Sequence, residues 1–259
     1  MSTPTLIGDT PTVWEDDGRL GRFNAWFFDA LDRYLDVITR RHKEHAFGDL
    51  TAGTIVEIGA GVGANFRYLP TGSDLIAVEP NRAMYERLRR RAAEHDVELE
   101  LVTGPAEALP LADDSVDTVI CSLVLCTVAD PDAALREIVR VVRPGGTFRF
   151  VEHVAAGPAS PRRWIQRAIT RPWSWLFQGC RLCRDTEALV AAAGFGELDV
   201  LRRRFRRSLF VPVNSAIAGR AVVAPTHEVV EQDTAAGSAV ATGTGADGTG
   251  GCLASTTDR

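Results

Sequence analysis

The chain has 259 residues, 45% of them hydrophobic, with a net charge of −5 and a pI near 5.6. That is enough chain for one sizeable core with attachments, and the acidic balance argues against a nucleic-acid backbone as the main partner. No apolar run approaches the ~20 residues of a bilayer span, Met1 to Asp9 lacks the basic and apolar regions of a secretion signal, and five cysteines without framework spacing fit a reducing cytoplasm.

Residues 1–19 are polar and contain prolines, which predicts a loose start. From Arg22 to Phe47, Phe23, Trp26, Phe27, Leu31, Tyr34, Leu35 and Ile38 recur at helical spacing. This predicts one amphipathic helix that packs on the core or caps a pocket mouth. A membrane-interface role is weakened by Asp29, Asp32 and Asp36 along its polar side. Next comes the apolar run Thr54 to Ile58, closed by Gly59, Gly61 and Gly63, with a helical pattern over 62–69. A buried strand turning sharply into a helix on bare backbone leaves room for a ligand. Glu57, just before the first glycine, is out of place in a phosphate cradle, where anions meet N–H groups. It points to a ligand bearing a cation or hydroxyl donors, and it disfavours a dinucleotide oxidoreductase, whose pyrophosphate it would repel.

A second strand over 75–79 ends in Glu79-Pro80-Asn81, about 20 residues past the glycines, where an acid meets ribose hydroxyls. Helices near 81–94 and 131–142 alternate with strands near 98–102, 116–121 and 147–152. Such alternation predicts a doubly wound α/β fold, its parallel sheet covered on both faces and its ligands at the carboxyl ends of the strands. Strand four delivers Cys121, Ser122, Leu123 and Cys126 to that end; strand five delivers Glu152 and His153. His153 is either a neutral-pH base, oriented by Glu152, or a structural histidine bonded to a loop. Cys121 and Cys126 read as pocket-wall or core thiols.

The segment 158–183 is aromatic, with Trp164, Trp173, Trp175 and Phe177, and would form a lid over an apolar pocket or pack on the N-terminal helix. Cys180 and Cys183 are close, but two further ligands are missing, so no metal site is expected. Apolar segments 198–201, 209–211 and 216–223 add further strands. The basic run Arg202 to Arg207 between them reads as a solvated hairpin or edge, or as a patch for an acidic substrate or phospholipid. From residue 225 the Ala, Gly, Thr and Ser content predicts a disordered tail with Cys252 exposed in it.

Over residues 50–222 these motifs resemble the class I S-adenosylmethionine-dependent methyltransferases. The matching elements are Glu57-x-Gly59-x-Gly61-x-Gly63, Glu79 closing the second strand, Gly104-Pro-Ala-Glu-Ala-Leu-Pro110, the strand from Ser115 to Leu123, and Arg143-Pro-Gly-Gly146. The chain departs from the family at Pro105, where an aspartate usually meets the adenine. The resemblance implies a mostly parallel, Rossmann-like seven-stranded sheet with an antiparallel edge and an N-terminal helical cap. It also implies S-adenosyl-L-methionine held by Glu57, Gly59, Gly61, Gly63, Asn65, Glu79, Pro80, Asn81, Ala106, Glu107, Cys121, Ser122 and Leu123. The domain would span 51–224, after a cap segment 1–50 and before a tail 225–259.

More narrowly, Cys121 to Val128, Glu152-His153, Pro172-Trp173, Phe177 to Cys180 and Arg184 resemble the membrane-associated alkyl thiol S-methyltransferases of animals and their bacterial relatives. The hydrophobic anchor of the animal members is not found in this sequence, so peripheral membrane contact stays open. The resemblance implies a small lipophilic acceptor, preferably a thiol, in a pocket of Cys126, Trp164, Trp173 and Phe177, with His153 and Glu152 as catalytic groups. N- or C-methylation of a phospholipid headgroup or quinone precursor is the alternative within the enzymes. A non-catalytic cofactor-binding module is the alternative outside them.

Overall fold

Strand β1 (Thr54–Ile58) lies inside a seven-stranded sheet, and its apolar residues alternate between two cores. Val56 and Ile58 join one core, with Phe148, Phe150, Leu135 and Ile138. Ile55 joins the other, with Leu75, Ile120, Leu88 and Phe47. A sheet covered on both faces explains the near-continuous apolar runs of its strands. The computed structural model describes residues 18–206 and 208–225. The expected loose start before residue 18, Arg207, and the expected disordered tail from 226, with Cys252, lie outside the described residues.

The other strands are β2 (Asp74–Val78), β3 (Glu98–Val102), β4 (Val116–Ser122), β5 (Val142–His153), β6 (Glu197–Arg204) and β7 (Ser215–Val222), in spatial order β3-β2-β1-β4-β5-β7-β6. The first five are mutually parallel; β7 pairs antiparallel with both β5 and β6. The sheet is therefore mostly parallel with an antiparallel edge, as the family resemblance implies. In β7, Gly219 lies where a side-chain Cβ would come 2.0 Å from the Asp199 carbonyl oxygen, so glycine is required for the β6 pairing. Arg202, Arg203 and Arg204 belong to the outermost strand and are exposed, the edge alternative for that run.

Helices α1 (Gly18–Ala30), α2 (Asp32–Phe47), α3 (Tyr85–Glu94), α4 (Pro131–Val141), α5 (Pro161–Leu176) and α6 (Thr186–Ala192) complete the fold. Local chemistry sets their starts. Asp130 accepts from the Ala133 N–H at 3.0 Å with Pro131 behind it, and Ser160 precedes Pro161 and accepts from the Arg163 N–H. In α4 the buried residues Ala134, Leu135, Ile138 and Val141 recur at helical spacing.

Four elements differ from the sequence reading. The helix expected over 22–47 breaks at Leu31, which lets Asp29 reach Arg87, Arg90 and Arg91 while Asp32 reaches Arg67 and Arg91. The helix expected over 62–69 is a series of turns ending in a 3-10 turn at Phe66–Tyr68, because Gly63 takes φ +80° and Pro70 follows. Strand β5 is longer than expected, starting at Val142. The segment expected at 209–211 forms no strand; a 3-10 turn spans Val211–Val213, and β7 starts after that turn. The aromatic segment is the helix α5, which continues through Pro172.

Candidate functional site

The carboxyl ends of β1, β2, β4 and β5 gather the groups that carry chemistry. At the end of β1, Gly59, Gly61 and Gly63 have φ of +62°, +57° and +80°, a left-handed arc that side chains resist. A Cβ on Gly59 would collide with the Val124 side chain at 2.5 Å, whereas one on Gly61 meets only the Gly59 oxygen, at 3.9 Å. The arc is thus sealed toward β4 at its first glycine and open at its second.

Glu57 points to the face of the sheet that α2 covers. Its Oε1 accepts from Asn65 Nδ2 at 2.7 Å, while Glu57 Oε2 and Asn65 Oδ1 are buried with no partner. Burial pushes the Glu57 carboxyl up to about 8, against the Asn65 hydrogen bond and the Lys43 charge, with Glu79 adding to the rise. Lys43, from α2, donates to the Ala64 carbonyl at 3.2 Å and is drawn down to about 8 by its own burial. Glu79, just past β2, accepts from the Gly61 N–H and the Asn81 N–H, each at 2.8 Å; burial pushes it up to about 7 against those two bonds. Two buried acids with raised pKa values and two partnerless acceptor atoms make a group suited to a cationic, hydroxyl-bearing ligand.

Other expected cofactor residues have different duties. Asn81 is spent on the Ala83 N–H and on the Gly21 carbonyl of α1. Glu107 Oε1 accepts from the Ala129 and Asp130 N–H groups at 2.9 and 3.2 Å, bracing the start of α4. Ala106 is buried in the core. Cys121 is buried and donates to Glu152, and burial lifts its thiol far above the usual range. Pro80 and Ser122 are half-buried beside these groups, and Leu123 sits at φ +62° where β4 ends.

Glu152 also departs from its expected role. It is fully buried, and its carboxylate accepts from the Val124, Leu125 and Cys126 N–H groups at 2.8, 3.0 and 3.3 Å as well as from Cys121 Sγ. No hydrogen bond joins Glu152 to His153; the bonds it makes hold the loop after β4.

His153 instead meets two sulfurs. Its Nε2 lies 3.0 Å from Cys180 Sγ, Cys180 Sγ lies 3.9 Å from Cys126 Sγ, and Trp173 Nε1 donates to Cys180 Sγ at 3.3 Å. The Cys126 hydrogen bond, against burial and with help from the His153 charge and the Trp173 N–H, pulls the Cys180 thiol down to about 4. Burial works to lower His153, but the Cys180 thiolate outweighs it and raises the imidazole. The two shifts run in the direction of a thiolate facing an imidazolium. In sequence Cys180 was legible as half of a close cysteine pair and as part of the narrower family resemblance, but not as a partner of His153 and Cys126, which lie 27 and 54 residues away.

Trp173 and Phe177 face inward in an aromatic group with Phe27, Phe28 and Phe210; the Trp173 and Phe177 ring centroids are 4.5 Å apart. The aromatic segment thus packs on the N-terminal helix. Trp164 does not line this region, since it is 79% exposed on the outer side of α5. Lys43, Gln166 and Arg184 were not singled out as site residues in the sequence. Gln166 ties Ala156 and Val154 to Pro212, and Arg184 donates to the Leu125 and Val128 carbonyls.

A family described as a methyltransferase domain matches residues 56–150. A Thermotoga maritima structure described as an S-adenosylmethionine-dependent methyltransferase, possible histamine N-methyltransferase, has the same fold, with a TM-score of 0.57 at 22% identity over 78% of this chain and 99% of that one. The fold is thus one that S-adenosylmethionine-dependent methyltransferases adopt. Human thiol S-methyltransferase TMT1A is 37% identical over 148 residues, 56% of this chain and 61% of that protein. Human thiol S-methyltransferase TMT1B is 36% identical over 171 residues, 65% of this chain and 70% of that protein. The chain belongs to this thiol S-methyltransferase family and spans about three fifths of the length of TMT1A.

Proposed function

We propose that the protein transfers the methyl group of S-adenosyl-L-methionine to the sulfur of a small, lipophilic thiol. The observation that carries the cofactor half is the partnerless Glu57 Oε2 beside the open glycine arc. The cofactor's ammonium would satisfy that oxygen and Asn65 Oδ1, and its ribose hydroxyls would meet Glu79. The cofactor supplies an electrophilic methyl on a sulfonium. The protein's part is to align a nucleophile behind that methyl and exclude water from it.

A thiol suits the acceptor end. With a pKa of ~8.5 it needs modest help to ionise, and the groups where β4 and β5 end are sulfur and imidazole rather than carboxylates free to bind an amine. The thiol specificity in the names of TMT1A and TMT1B supports the same acceptor. The inward rings of Trp173, Phe177 and Phe27 favour an apolar acceptor body.

Incubation with labelled methyl donor and a panel of alkyl thiols, amines and quinols tests this reading. Label should appear on thiols. Transfer to amines or quinols but not to thiols would replace the thiol acceptor with one of the alternatives, and cofactor binding with no transfer would favour a binding module.

Contact with a lipid surface belongs to the same proposal. Among the described residues, no helix is long and apolar enough to cross a membrane, yet Trp26, Trp164, Trp175 and Leu209 are exposed. An acceptor that partitions into lipid would be met at that surface.

A further inference from the structure

We propose that Cys126, His153 and Cys180 bind one thiophilic divalent metal ion of the zinc class, and that its remaining coordination position takes the sulfur of the acceptor. The second part rests on the thiol reading above; the metal site does not.

The three residues converge from separate elements: the loop after β4, the last position of β5, and the loop after α5. Their ligand atoms lie within 4.8 Å of one another and all three residues are buried. A tetrahedral ion bonded to sulfur at ~2.3 Å and nitrogen at ~2.0 Å sets its sulfurs about 3.8 Å apart and sulfur from nitrogen about 3.5 Å. The observed separations of 3.9 Å and 3.0 Å are near these values, so an ion enters with small side-chain movements. The sulfur separation is nearly twice the ~2.05 Å of a disulfide, so the pair is spaced for a bridging atom rather than a bond.

Two further features favour an ion. The Trp173 indole N–H points at Cys180 Sγ, the kind of outer hydrogen bond that orients a thiolate ligand. His153 Nδ1 is buried with no partner, so no hydrogen bond there holds the ring away from the ion.

The protein supplies three ligands, which on a four-coordinate ion is the open arrangement of catalytic sites. Glu152, the nearest acid, is committed to the loop N–H groups. Gly179 and Arg181, on either side of Cys180, line a groove of about 830 Å³ through which an acceptor can approach.

The acceptor thiol binds the ion through sulfur and releases its proton to solvent. That sulfur then forms a bond to the cofactor's methyl carbon as the carbon–sulfonium bond breaks. The products are a methyl thioether, which is a weaker ligand and leaves, and a neutral demethylated cofactor.

Titration of the chelator-stripped protein with Co²⁺ under anaerobic conditions tests the site without any need for turnover. One equivalent should give the thiolate charge-transfer band and the visible bands of tetrahedral cobalt. Cys126→Ser and Cys180→Ser should each weaken binding at least 100-fold, while Cys183→Ser and Cys252→Ser leave it unchanged. Calorimetry with S-adenosylmethionine on the same variants checks that they are folded. Absence of the bands, or their survival in Cys126→Ser and Cys180→Ser, would overturn the metal site. Added alkyl thiol should shift the cobalt spectrum, and an unchanged spectrum would refute acceptor coordination. Thiol methylation by a metal-free enzyme would refute acceptor coordination and leave the metal site and the proposed function standing. A cobalt site in a protein that methylates no thiol would leave the metal site standing and remove both the thiol reading and acceptor coordination.

Discussion

At the residue scale the cofactor end turns on two buried acids. Burial holds the Glu57 carboxyl up at about 8, yet it must be ionised to hold an ammonium. Binding should therefore release protons at pH 7, and affinity should rise up to tenfold per unit as pH climbs from 6 towards 8. It should fall again as the ligand's own α-amino group, with a pKa near ~8, loses its charge. Calorimetry in buffers of different ionisation heat reads the released protons, and a pH-independent affinity would remove Glu57 from the site. The stability effect has the opposite sign. The folded-state value lies above the unfolded 4.5, so the Glu57 contribution is complete below about pH 4.5 and erodes as pH rises towards 8. Glu57→Gln should thus weaken cofactor binding by about 100-fold or more while raising Tm relative to the parent more at pH 8 than at pH 5. Glu79→Ala should lose most of the binding as well. These acids were legible in the sequence because a strand, its glycines and the next strand lie within 30 residues. Lys43 was not, because only the packing of α2 brings it to Glu57.

At the element scale, buried acids act as staples. Glu152 gathers three N–H groups and one thiol from the turn that ends β4. Glu152→Gln sets an amide donor against those donors and should cost about 2–3 kcal/mol, visible as a lower Tm; an unchanged Tm would mean the turn holds itself. Asp32 joins α2 to α3 through Arg91 and to the turn after β1 through Arg67, at 2.8 and 2.5 Å, with its side chain and that of Arg91 each 9% exposed. Asp32→Asn should cost about 2 kcal/mol, a Tm loss of roughly 4–8 °C that added salt does little to mask, since Arg91 keeps only Asp29. The strands, α4 and the edge position of the arginine run were legible from period, caps and charge. The break at Leu31 was not, because apolar spacing runs through it and the arginines that Asp29 and Asp32 meet on α3 lie some 60 residues on. The role of Glu152 was hidden for a similar reason: in sequence it adjoins His153, but successive strand side chains point to opposite faces.

At the scale of the whole molecule, net charge misleads about the surface. The chain carries −5, and Asp29, Asp32 and Asp36 argue in sequence against attraction to anionic lipid. In the structure those three acids are bound to Arg40, Arg67, Arg87, Arg90 and Arg91 and do not form a free acidic face. Helix α5 carries Arg162, Arg163, Arg167 and Arg171 and no acid. Trp164 and Trp175, 11 residues apart and so about 20° apart around the helix, are 79% and 72% exposed on one side of it, with exposed Arg171 between them. An exposed aromatic stripe set among arginines is the pattern of a helix that lies in a headgroup layer. The protein should therefore co-sediment with anionic vesicles, less so as salt rises, and only weakly with neutral ones. Trp164→Ser and Trp175→Ser should each reduce this binding about tenfold, with no loss of Tm, because neither ring is packed in the core. Equal binding to neutral and anionic vesicles, or binding indifferent to both tryptophans, would move the contact away from α5. The acceptor would then have to reach the sulfur–imidazole cluster from water.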